Sequence, residues 1–121
     1  MHDYFSQLVS LSEEVKAYYN RLNGLQSLLD RKVSAIYHDI EKNDIDAISG
    51  HDYALKLKET LQSRRIVKDE LARLSPVYHM LRQQMETVED QHEKAMRKSA
   101  EIRGQLNVSG DIGEVLMALE A

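Results

Sequence analysis

From Arg64 to Leu106 the chain holds one apolar repeat without a slip. Steps of three and four residues from Arg64 reach Val67, Leu71, Leu74, Tyr78, Leu81, Met85, Val88, His92, Ala95, Ser99, Ile102 and Leu106. Ten of these thirteen positions are apolar. A repeat of about 3.5 residues held over this length calls for a helix whose seam is covered by another helix.

A second seam precedes it. Within a segment from about residue 3 to 42, Leu8, Leu11, Val15, Tyr18, Leu22, Leu25 and Leu29 recur at the same spacing. Val33, Ile36 and Ile40 continue it after two successive four-residue steps, a local shift of the stutter kind. Asn23-Gly24 is a turn signal, but the phase crosses it unchanged and Gly24 falls off the seam. One surface glycine costs a helix only ~1 kcal/mol, so a single long helix is expected.

Residues 43–50 crowd Asn43, Asp44, Asp46, Ser49 and Gly50 together and mark the turn. Asp44 could cap one turn holding Ile45 and Ile48. Ser49, with Asp52 three residues on, predicts the start of a second helix over about 51–104. Its first seam positions are Tyr53, Leu57 and Leu61. Pro76 must kink or end a helix, because it lacks an N–H and clashes with the preceding turn. The unshifted phase from Leu71 to Leu81 predicts a kinked, continuous helix; Ser75 as N-cap of a separate helix is the alternative. After a turn at Val108-Ser109-Gly110, Asp111 can cap a short helix over 111–121.

At ~1.5 Å per residue the two long helices span on the order of 60 and 80 Å. A short turn between them makes an antiparallel hairpin, with Pro76 opposite the region of Tyr18. Past about His92 the second helix outruns the first. The expected architecture is therefore all-α: one domain over 1–121, a coiled-coil-like hairpin with a short C-terminal helix. A hairpin buries little by itself, so dimerisation into a four-helix bundle is expected, with a three-helix bundle as the monomeric alternative.

Charged residues make up 30% of the chain and the net charge is -4. Such a balance gives no general pull toward nucleic acid or anionic lipid. There is no Cys, which removes disulfides, thiolate ligands and a Cys nucleophile. No apolar run approaches the ~20 residues of a membrane span. Residues Met1 to Phe5 lack the basic and apolar stretches of a secretion signal. A cytoplasmic protein with no membrane association is expected. Neither a nucleophile elbow, a phosphate-binding loop, a dinucleotide fingerprint nor a His-Glu-x-x-His motif is present. Hence no enzyme, no cofactor and no metal are expected.

Three features are candidate sites. The densest basic run holds Lys56, Lys58, Arg64, Arg65, Lys68 and Arg73, interleaved with Glu59, Asp69 and Glu70. It could contact phosphates or a protein partner, yet mixed signs are usual on a solvated face, with pairs such as Arg65 and Asp69. Arg64 lies on the seam, where it can snorkel, pair with an acid of the facing helix, or meet a partner. His92 is also on the seam, and Glu89 gives it the Glu-x-x-His spacing of di-metal bundles. The further carboxylates of such a site are missing, so a core-edge His that sets register is expected. Tyr18, Tyr53 and Tyr78 are expected to fill core. Finally, Ile112, Val115, Leu116 and Leu119 form one apolar face that must be buried when ordered. It can fold back on the seam from Ala95 to Leu106, the favoured expectation, or dock in a partner's groove. The functional expectation is a non-catalytic protein-interaction module: an adaptor, regulator or inhibitor, and a homodimer. A nucleic-acid-binding regulator using 56–73 is the alternative.

Overall fold

The structure, a computed structural model, describes residues 3–120. Residues 1, 2 and 121 lie outside the described residues. Three helices follow one another: α1 (Tyr4–Lys42), α2 (Ala47–Leu106) and α3 (Ile112–Glu120). No strand occurs among the described residues. α1 and α2 form the antiparallel hairpin, and α3 packs on neither of them.

α1 starts at Asp3, whose side chain accepts from the Ser6 N–H at 3.2 Å and the Ser6 hydroxyl at 2.7 Å. These bonds, the hydroxyl first, hold the Asp3 carboxyl below its ordinary range. The helix runs through Gly24 without interruption to Lys42. Asn43 ends it, its own N–H bonding to the Asp39 carbonyl. The Asn43 amide also donates to that carbonyl at 3.0 Å and to the Tyr53 hydroxyl at 3.2 Å, tying the two helices together at the turn.

The turn is shorter than the sequence suggests. α2 begins at Ala47, not near 51, and its N-cap is Asp46. Asp46 accepts from the Ser49 N–H at 2.8 Å, while the Ser49 hydroxyl accepts from the Asp46 N–H at 3.0 Å. This capping box uses Asp first and Ser third, so Ser49 completes a helix start and does not begin one. No single turn forms between Asp44 and Asp46. The Ser49 N–H, first among its causes, holds the Asp46 carboxyl below its ordinary range. α2 then runs unbroken through Pro76. Continuous packing on both sides of the proline supplies what the lost Ala72 hydrogen bond does not.

The facing surfaces correct the sequence reading of α1. Its half-buried face is Phe5, Leu8, Ser12, Val15, Tyr19, Leu22, Gln26, Leu29, Val33, Ile36 and Ile40. That series steps three, four, three, four from end to end, so the inferred stutter vanishes once Gln26 replaces Leu25. Leu11, Tyr18 and Leu25 turn outward, 47%, 43% and 38% exposed. In α2, Thr60 takes the place expected for Leu61. The densest packing joins Val15, Leu81 and Met85, with Leu8, Val9, Leu74 and Tyr78 against them. Leu22 is also buried. Two ring stacks set the register: Tyr19 on Tyr78 and Phe5 on His92, each with centroids 3.8 Å apart. Such pairs add ~0.5–1.5 kcal/mol beyond the area they bury.

Candidate interaction surfaces

Beyond His92, no residue of α2 is even half-buried. Some 14 residues of α2, on the order of 20 Å of helix, project past the start of α1. The apolar seam continues along this arm through Ile102 and Leu106, which are 43% and 69% exposed. At its end Asn107 adopts the left-handed conformation, and the Val108 N–H bonds back to the Arg103 carbonyl at 2.9 Å. This is the αL helix stop in which Asn substitutes for Gly. The Arg103 guanidinium donates to the Gly110 carbonyl at 2.6 Å and holds the turn. Asp111 then caps α3 by accepting from the Glu114 N–H at 3.0 Å.

The short helix does not fold back. Ile112, Val115, Leu116 and Leu119 are 54%, 47%, 45% and 79% exposed, with Met117 beside them at 77%. The expected burial on the Ala95–Leu106 seam is therefore absent. Two of that seam's four positions, Ala95 and Ser99, are small, so it offers little area to offset the ordering of a reversed helix.

The basic residues do not converge. At ~100° per residue, Lys56, Arg64, Arg65, Lys68 and Arg73 are spread around most of the helix circumference. Arg64 pairs across the hairpin with Asp30 of α1, one of the three roles open to it. Asp69 pairs with Arg73 at 3.5 Å, not with Arg65. His92 is half-buried and stacks on Phe5 at the last layer that α1 covers. Among the described residues, no group of three or more His, Cys, Asp or Glu is placed to hold a metal. No helix among them is long and apolar enough to cross a membrane.

Two surfaces were not foreseen. One is an open groove of about 350 Å³ between the helices, with Val15, Leu81 and Met85 in its floor and Lys16 and Arg82 beside them. The other is the outward row of α1, Leu11, Tyr18 and Leu25, flanked by Leu28 at 41% exposure. The sequence named that row but placed it under α2. The signal that could have separated the two faces was the unbroken step through Gln26. Compared with protein-family models, curated proteins and solved structures, the chain matches none.

Proposed function

We propose that this chain is a non-catalytic protein–protein interaction module, a small helical adaptor, regulator or inhibitor that docks on a larger protein. The observation that carries this reading is α3. It presents Ile112, Val115, Leu116 and Leu119 on an i, i+3, i+4, i+7 face at the tip of a long uncovered arm. An amphipathic helix offered in this way suits an apolar groove on a partner. The hairpin then serves as a rigid spacer. Its uncovered apolar length also supports self-association, so the working form is taken as a homodimer. A cytoplasmic setting goes with this reading, since a chain without Cys suits a reducing compartment.

Affinity capture from a lysate of the source cells tests the docking reading. Wild-type bait should retain a partner that bait carrying Leu116→Glu loses, with both baits equally helical. Identical retention by the two baits overturns docking through α3.

A further inference from the structure

α1 is apolar on more of its circumference than α2 covers. Leu8, Val15, Leu22 and Leu29 form a shared edge. On one side of it Ser12, Tyr19 and Gln26 face α2. On the other side Leu11, Tyr18 and Leu25 face away, and this outer row is the more apolar of the two. A band this wide belongs to a helix with two helical neighbours, as in a bundle. The hairpin supplies one.

α3 of the same chain cannot be the second. Its nine residues span about 13 Å, and it starts beyond an arm of about 20 Å. Even doubled back along α2 it would end short of Leu11. The chain as a whole exposes 9879 Å². A compact folded protein of 13.9 kDa exposes ~6,700 Å². The excess is several times the ~800 Å² that each partner contributes to a standard interface.

We infer that the Leu11–Tyr18–Leu25 face of α1 is covered by the same face of a second copy running antiparallel to it. This rests on the self-association reading above and assigns its surface. Reversal returns the seam to itself: Leu11 falls opposite Leu22, Val15 opposite Tyr18, and Leu8 opposite Leu25. The charges at its edge agree. Glu14 and Arg21 lie on the same flank of the outer row, both exposed and without an ion-pair partner among the described residues. An antiparallel copy brings Glu14 of each chain beside Arg21 of the other. A parallel copy would put the two flanks on opposite sides of the interface, where neither Glu14 nor Arg21 could reach its opposite charge. Two hairpins joined through α1 make a four-helix bundle with the α2 helices on the outside, and the distal arms point in opposite directions.

Light scattering after gel filtration, and sedimentation equilibrium, test this on the full chain. Wild type should be a dimer. Leu11→Glu with Leu25→Glu should give a monomer of unchanged helicity by circular dichroism. Glu14→Arg or Arg21→Glu alone should weaken the dimer roughly tenfold, as rim charge pairs turn repulsive. The exchanged pair, Glu14→Arg with Arg21→Glu, should recover most of the loss. Removal of residues 111–121 should leave the dimer intact. A monomeric wild type overturns self-association and this surface together. A dimer indifferent to the Leu11 and Leu25 changes, or one lost on removal of 111–121, overturns the surface alone.

Discussion

α2 carries one unchanging seam, yet its two parts live differently. From Tyr53 to His92 the seam faces α1, and Leu81 and Met85 are 5% and 8% exposed. From Glu93 to Leu106 the same spacing continues, and every residue is exposed. The spacing does not change at His92, although the next two seam positions, Ala95 and Ser99, are small. What changes is the partner: α1 starts at Tyr4, and Phe5 on His92 is the last aromatic layer. Periodicity therefore makes a face, and only a second helix makes a core. Stability should be concentrated in the paired part and recognition in the arm.

The strongest way to break that comparison is to cut equal apolar groups from each part. Leu81→Ala removes a buried side chain and should cost about 2–5 kcal/mol, read by urea denaturation. Leu106→Ala, in the arm, should stay within ~0.5 kcal/mol. Equal losses would mean that the arm is covered as the hairpin is.

Pro76 probes continuity within the paired part. An interior proline disfavours a helix by ~3 kcal/mol relative to Ala, part of which the surrounding packing has already accommodated. Pro76→Ala should raise stability by about 1–2 kcal/mol, seen as a higher melting temperature. A clear loss would identify Pro76 as the start of a separate helix.

Arg64 and Asp30 sharpen the register. Both are partly exposed, 34% and 48% by side chain, so their pair should contribute only about 0.2–1 kcal/mol. A double-mutant cycle of Arg64→Ala and Asp30→Ala measures it, and zero coupling would detach Arg64 from α1.

Acid reaches the helix starts. Asp3 and Asp46 have folded pKa values below the ordinary 3.8. A depressed folded pKa means stability that is present above the unfolded value and lost as pH falls through the folded one. Helix ends should therefore fray as pH drops below about 4, visible as lost amide protection at residues 4–7 and 47–50 before the middle of the hairpin responds.

The smallest expected effect is none. Binding to generic duplex at low salt should be undetectable, because the cations of 56–73 are scattered and two of them are already paired. Salt-sensitive binding abolished by Arg64→Glu with Arg65→Glu would instead revive the nucleic-acid reading.

Much of this fold is legible in the residues alone. Two helices, their antiparallel return at Asn43, the α2 arm past His92 and the C-terminal helix after Asp111 all follow from local rules of spacing, capping and rise per residue. Such rules need no knowledge of a neighbour. The rest belonged to the tertiary structure. α1 offers two apolar seams around the shared edge of Leu8, Val15, Leu22 and Leu29. They differ by a rotation on the order of 50° about the helix axis, too small for hydrophobicity alone to separate. The stacks of Tyr19 on Tyr78 and Phe5 on His92, and the pairing of Asp30 with Arg64, select the less apolar one. Likewise α3 carries a face that demands cover, but the arm beside it is too poor in large side chains to hold it. A helix records in its sequence that it has a face; which neighbour that face meets depends on residues far along the chain or outside it.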